Sequence, residues 1–282
     1  MPSLHVPPPI ARRSAESPTV RPAAPEHGTV WLVGAGPGDP GLLSLRALAA
    51  MEAADAVIHD AWIDPAVVAL VPPACHREAY GERGQAGAAA VRRCIALARQ
   101  GWRVVRLMHG DPLLSGDGAG EARRLAEAGV PFHVVPGIPA RLAGLSGEAV
   151  PLAPAGRAAA VCLVDLEDEE ESRAPRVDLG LLLRAVPSLV LRLRARQAPA
   201  LAASLSAAGL PPSTPIILVA RAGRPTQELV ETTLGAAGTW AAGLDAEARL
   251  VAGLGVAPPL HRRDGAVARL RAPLQFSMAG AG

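Results

Sequence analysis

The chain has 282 residues, half of them hydrophobic, and its 28 basic and 26 acidic side chains leave a formal net charge of +2. That length and apolar content suffice for two compact domains, each with its own core, and exclude a purely disordered or fibrous chain. The basic residues are scattered, so no stripe suited to a phosphate backbone forms and nucleic acid is not an expected partner.

In chain order, residues 1–27 read as a disordered extension, because prolines at 2, 7, 8, 9, 18, 22 and 25 support neither a helix nor a central strand. The segment also lacks the apolar core and cleavage site of a secretory signal. A first domain is expected over 28–150. It opens with a strand at Thr29–Val33, and Ser44 then caps a helix through Arg46 to Ala54. Ala56–His59 is the next strand, and Asp64 followed by Pro65 starts another helix. Gln85–Gln100 reads as helix closed by Gly101, Arg103–Met108 as strand, Gly120–Ala128 as helix closed by Gly129, and Phe132–Val135 as strand. The alternation predicts an α/β domain with a largely parallel sheet.

The pattern restarts at Val161–Val164, followed by an acidic run from Asp165 to Glu171 read as a solvated loop. Ser188–Leu193, Pro215–Ala220 and Arg249–Val256 are strand candidates, and Gln197–Ala208 is a helix ended by Gly209. These predict a second α/β domain over 151–262, with residues 263–282 left as a tail. No run approaches the roughly 18 apolar residues of a membrane span, so a cytoplasmic protein is expected. Cys75, Cys94 and Cys162 stand far apart with no C-x-x-C pair, and His76 beside Cys75 lacks further spaced ligands, so neither a disulfide framework nor a metal is expected. Every basic residue is arginine and asparagine is absent. This excludes a Walker lysine and Schiff-base chemistry, and coding bias in a GC-rich genome accounts for the depletion.

Two glycine-rich loops follow strands. The first, Gly34-Ala-Gly-Pro-Gly-Asp-Pro-Gly41, contains a shifted G-x-G-x-x-G with Asp60 about twenty residues on, so a dinucleotide-binding dehydrogenase is one alternative. Against it, Asp39 places a carboxylate where pyrophosphate would sit, and Pro37 and Pro40 remove amide donors. The second, His109-Gly-Asp-Pro-Leu-Leu-Ser-Gly116, again carries an acid between glycines. Both suit a cationic, phosphate-free ligand, and both are equally ordinary turn chemistry.

Taken in order, Val30 to Leu45, Ala54-Asp-Ala-Val-Ile-His-Asp60, Gly110-Asp-Pro-Leu-Leu-Ser-Gly116 and Val134-Val-Pro-Gly-Ile138 resemble the signatures of the tetrapyrrole methylases. The similarity continues through Ser188-Leu-Val-Leu191, Ala207-Ala-Gly-Leu-Pro-Pro212, Thr214-Pro-Ile-Ile-Leu-Val219 and Arg224-Pro-Thr-Gln227. The resemblance implies two α/β domains with S-adenosylmethionine in the cleft between them, a homodimer, and a tetrapyrrole substrate. The implied reaction is C-methylation of uroporphyrinogen III to precorrin-2, for sirohaem or cobalamin. It places the proton acceptor at Asp60, and cofactor contacts at Pro37, His109, Gly110, Asp111, Leu114, Ala140 and Leu193. Arg77, Arg83 and Arg106 are candidates to pair with substrate carboxylates.

The chain departs from the family pattern where ligands should sit. Glu82 stands at the position of a proton-donating lysine, His109 replaces a glycine, Pro139-Ala140 replaces Thr-Ala, and Arg192-Leu193-Arg194 replaces a Tyr-Met-Gly turn. Two functions therefore stay open: an active methyltransferase, and a non-catalytic or altered-substrate tetrapyrrole-binding relative. His59 and His109 are read first as loop or packing residues, with acid or base work as the second reading.

Overall fold

The structure is a computed structural model that describes residues 24–81, 85–114, 117–153, 160–166, 177–246 and 248–256. Most of the Pro-rich extension, Glu82, Arg83, Gly116, the acidic residues 167–171 and the tail lie outside the described residues. The first half runs β1 (Val30–Gly34), α1 (Leu45–Ala53), β2 (Ala56–Asp60), α2 (Pro65–Val68), β3 (His76–Tyr80), α3 (Gln85–Arg99), β4 (Val104–Met108), α4 (Gly118–Glu127), β5 (Phe132–Val135) and α5 (Ala140–Ser146). Its sheet has the order β3-β2-β4-β1-β5, and all its pairs are parallel.

The three inner strands are buried along their whole length, which is why, His59, Asp60 and Arg106 apart, they read as apolar runs. Strand alternation sends Trp31, Val33, Val57 and Leu107 to a core shared with α1 and α2. Val30, Leu32, Ile58 and Val104 pack on α3 and α4 on the other face. Each large side chain buried this way stabilises the fold by roughly 1.5–3 kcal/mol. The helix starts follow local chemistry: the Ser44 hydroxyl accepts from Ala47 N, and Asp64 accepts from Ala66 N with Pro65 in the first turn. Strand β3 escapes the apolar pattern because it is an edge, with His76 and Arg77 exposed.

The second half runs β6 (Val161–Asp165), α6 (Leu179–Ala185), β7 (Ser188–Arg194), α7 (Ala198–Ala207), β8 (Pro215–Ala220), β9 (Glu228–Thr233), α8 (Leu234–Ala241) and β10 (Arg249–Leu254). The order is β6-β7-β10-β8-β9, parallel only between β6 and β7, so this sheet is mixed. Helices α6, α7 and α8 cover one face, over a core that includes Leu189, Leu191, Leu193, Leu205 and Leu234. The opposite face presents Val190, Ile217, Val219 and Val251 to Leu145 of α5.

Helix α5 thus follows the first sheet in sequence yet packs on the second, and small residues allow the approach. A Cβ on Gly144 would lie 2.5 Å from Ala222 Cβ. Gln227 fixes the same contact, its side-chain amide donating to Gly144 O at 3.1 Å and to Glu148 Oε1 at 2.7 Å. The two sheets are therefore held with the carboxyl ends of the first facing one side of the second.

Candidate active site

In a parallel sheet the carboxyl ends of the strands are where ligands bind, and here three loops meet there. Gly36 and Gly110 exchange backbone hydrogen bonds, Gly36 N to Gly110 O at 3.2 Å and Gly110 N to Gly36 O at 2.8 Å. The loop after β5 crosses so closely that a Cβ on Gly137 would stand 2.1 Å from Gly110 O. The Asp111 carboxylate locks the crossing. Its Oδ1 accepts from Leu113 N at 2.9 Å and Leu114 N at 3.1 Å, and its Oδ2 accepts from Gly137 N at 3.1 Å. Asp39 has a similar task, accepting from Gly41 N at 2.7 Å. Both loop acids are committed to backbone amides.

Behind this wall lies a charged cluster. Asp60, at the end of β2, is 6 % exposed, and its Oδ1 accepts from Arg106 Nη2 at 2.6 Å while its Oδ2 accepts from the His109 amide at 3.1 Å. Arg106 also donates to both oxygens of Glu121 on α4, at 2.9 and 3.0 Å. Burial raises the Glu121 carboxyl above its usual range, against the pull of Arg106. Burial works against the Arg106 charge too, but Asp60 and Glu121 outweigh it and hold the guanidinium more firmly protonated. Arg106, 2 % exposed and bound to two carboxylates, is therefore not a partner for substrate carboxylates, contrary to the sequence expectation. Arg77 remains exposed on β3.

Between the loops and the second sheet is a cavity of about 400 Å³, within the range of small-molecule sites. Trp62, His109, Ala140 and Arg141 line one side; Arg192, Arg194, Ala222 and Val251 are among the residues lining the other. The sides are joined at Trp62, whose carbonyl accepts from Arg224 Nη2 at 3.0 Å and whose ring has the Arg249 guanidinium carbon 5.5 Å from its centroid. Arg192 is ion-paired with Asp165, and Arg221 with Glu228 at 2.5 Å.

Of the residues expected in the site, His109 and Ala140 line the cavity. Gly110, Asp111 and Leu114 build the loop beside it. Pro37 packs against the second half of the chain, where a Cβ on Gly223 would come within 2.3 Å of its Cβ. Asp60 lies one hydrogen bond behind the wall. Leu193 differs: period-two alternation along β7 turns it into the core with Leu189 and Leu191, wholly buried, so its side chain is no apolar contact in the cavity. The cavity is lined by its neighbours Arg192 and Arg194 instead. The sequence reading also missed Trp62, Arg249 and Arg224, which come together only when the two halves close.

The fold and cavity define a two-domain α/β protein with an interdomain ligand cleft. Comparison with known proteins is specific. The family model for tetrapyrrole (corrin/porphyrin) methylases matches residues 29–238. A uroporphyrinogen-III C-methyltransferase from Sinorhizobium is 37 % identical over 255 residues, covering 89 % of this chain and 88 % of that one. Siroheme synthase 1 of Yersinia enterocolitica is 35 % identical over 218 residues, covering 74 % of this chain but 44 % of that longer protein. Among solved structures, the uroporphyrin-III C-methyltransferase of Thermus thermophilus complexed with S-adenosylhomocysteine has a TM-score of 0.67 at 33 % identity, covering 79 % of this chain and 96 % of that one. A cobalt precorrin-4 methyltransferase, 23 % identical with a TM-score of 0.70, shares the fold. The chain belongs to the tetrapyrrole methylases.

Proposed function

We propose that this protein is an S-adenosylmethionine-dependent C-methyltransferase acting on uroporphyrinogen III to give precorrin-2, with the chain divided near residue 150 into its two domains. The observation that carries the reading is the cavity of about 400 Å³ at the carboxyl ends of the parallel strands, closed by the second sheet. Its chemistry suits the cofactor. Ala140, Ala222, Leu250 and Val251 offer apolar contact to an adenosyl group. S-adenosylmethionine held there would supply an electrophilic methyl group for a pyrrole carbon and would leave as S-adenosylhomocysteine.

The chain's own residues bind, orient and shield. Asp111 and the Gly36–Gly110 bridge hold the loops at fixed spacing, so a ligand meets a preorganised wall. Leu113, Leu114 and Ile138 stand exposed on these loops and form an apolar surface for the face of a macrocycle. Arg77, a candidate cation for peripheral carboxylates, is exposed on β3 but stands in register with Val57, toward the amino end of the sheet and away from the loops, so it is not placed to serve them. Asp60, placed by resemblance as proton acceptor, anchors the His109 amide. We also infer a homodimer acting in the cytoplasm; no helix among the described residues is long and apolar enough to cross a membrane.

The engaged state of both Asp60 oxygens favours a second reading, a relative that binds a tetrapyrrole without transferring methyl groups. Anaerobic incubation with uroporphyrinogen III and methyl-labelled S-adenosylmethionine decides between them. Label in the tetrapyrrole is the expected result. Tetrapyrrole binding without label supports the second reading, and neither binding nor label overturns both.

A further inference from the structure

The two halves of the chain are joined unequally on the two sides of the cavity. On the α5 side the joint is apolar: Leu145 is wholly buried among Val190, Ile217, Val219 and Val251, and Gln227 adds hydrogen bonds to Gly144 and Glu148. Opening that side would expose core to water. On the Trp62 side the described residues share no core. Both cores of the first sheet are built from residues up to Val135, and none of their buried members comes from the second half. The joint there is a charged hydrogen bond and a ring contact: Arg224 Nη2 donates to the Trp62 carbonyl at 3.0 Å, and the Arg249 guanidinium carbon stands 5.5 Å from the centroid of the indole.

The turn that presents Arg224 is held in shape before it reaches across. Arg221 sits in the left-handed region at φ 53°, uncommon for a residue with a side chain, and its carbonyl accepts from Arg224 N at 3.1 Å. Gly223 N donates to Gln227 Oε1 at 2.5 Å, and a Cβ on Gly223 would come within 2.3 Å of Pro37 Cβ. The arginine stem then lies across the first loop, where a Cβ on Gly38 would stand 3.1 Å from Arg224 Cγ. The turn it reaches is also fixed, with Ala61 N donating to Tyr80 O at 2.8 Å and Ile63 N to Asp60 O at 3.1 Å. Two ordered turns thus meet through one side chain, and Trp62 and Arg224 both line the cavity.

We infer that Arg224 is a positioning residue of this chain, a latch that keeps the cleft closed on the Trp62 side and sets how fast a bound S-adenosyl ligand leaves. The inference rests on the proposed cofactor site. Gly137 is fixed to the first half by Asp111, and Ala140 begins α5, so residues 138 and 139 link the two bodies. A ligand held between the halves leaves when the first sheet swings away about that link. The swing breaks the Arg224 bond to Trp62 and leaves the core around Leu145 intact. A hydrogen bond from a charged donor shifts such an opening equilibrium by about tenfold to a hundredfold.

The test follows S-adenosylhomocysteine association and dissociation by surface plasmon resonance for the wild-type chain, Arg224→Ala and Arg224→Lys, with amide hydrogen exchange on each chain free of ligand. Expected for Arg224→Ala is dissociation faster by about tenfold or more, with association within about threefold of wild type. Arg224→Lys keeps a cationic donor and recovers part of the slow dissociation. In the ligand-free Arg224→Ala chain the amides of residues 60–64 exchange faster, whereas those of α5 do not. A residue that only touched the ligand would leave exchange in the free chain unchanged, and one that only stabilised the fold would raise it in α5 as well. Either of those patterns overturns the inference, as does unchanged dissociation from Arg224→Ala or no recovery by Arg224→Lys. A wild-type chain that binds no S-adenosylhomocysteine overturns the cofactor site itself, and the latch with it.

Discussion

Replacing Arg106 with methionine is expected to be among the most damaging single changes in the first half of the chain. Its guanidinium makes ion pairs at 2.6 Å to Asp60 and 2.9 Å to Glu121, with the arginine side chain 3 % exposed and the carboxylates 8 % and 1 % exposed. Removing the cation leaves two carboxylates buried together without a counter-charge. Breaking one such buried pair costs about 3–5 kcal/mol, part of which is relieved by proton uptake. Against a typical domain stability of about 5–15 kcal/mol, that is a large fraction.

The sign of the pH effect follows from Glu121, whose carboxyl is already raised by burial with Arg106 present. A raised carboxyl contributes stability that is complete below its unfolded value of about 4.3 and is lost as pH rises through its folded value. Without Arg106 that window extends upward, so the deficit of Arg106→Met should shrink between pH 7 and pH 5. Urea unfolding at both pH values measures it. Arg106→Met/Glu121→Leu should recover about 2 kcal/mol, because an unpaired charge goes with it. A deficit under about 1 kcal/mol, or one unchanged by pH and by the second substitution, would refute the reasoning.

Gly137→Ala should separate the loops at the cavity, since its Cβ would meet Gly110 O at 2.1 Å; calorimetry should show S-adenosylhomocysteine affinity reduced about tenfold or more, equivalent to about 1.4 kcal/mol, with circular dichroism unchanged. Two surface pairs predict acid behaviour: Arg103 holds the Asp55 carboxyl down at about 2, and Arg93 holds Glu78 down at about 2. Depressed carboxyls stabilise above their unfolded values near 4 and lose that contribution as pH falls through 2, and with solvent screening the Asp55 pair is worth about 1 kcal/mol. Arg103→Ala should therefore flatten the stability profile between pH 4 and pH 2, as followed by thermal melts.

The sequence made the first sheet legible because its inner strands are apolar but for His59, Asp60 and Arg106, and its helices carry ordinary start and stop residues, Ser44 and Gly101 among them. The glycine loops were legible as loops leaving the strand ends, but not the reason for their acids. Asp111 is held by two amides of its own loop, Leu113 and Leu114, and by that of Gly137, which comes near only when the β4 and β5 loops cross. Arg106 read as a partner for substrate carboxylates because nothing local shows that its strand places it beside Asp60 and Glu121. Leu193 was misplaced for a simpler reason: the apolar member of Arg-Leu-Arg goes to the core, and the arginines face the cavity. Strand β9 and helix α5 escaped notice, one a polar edge and the other a short helix whose apolar side is explained by the second sheet.

The central claim is that the cavity walled by His109 and Ala140 is the cofactor site. Calorimetric titration of the wild-type chain and of Ala140→Trp, which fills that cavity, with S-adenosylhomocysteine tests it most directly. The account predicts one ligand bound per chain by the wild type and binding lost in a variant that still melts cooperatively. No heat from the wild type at millimolar ligand, or equal binding by Ala140→Trp, would contradict it.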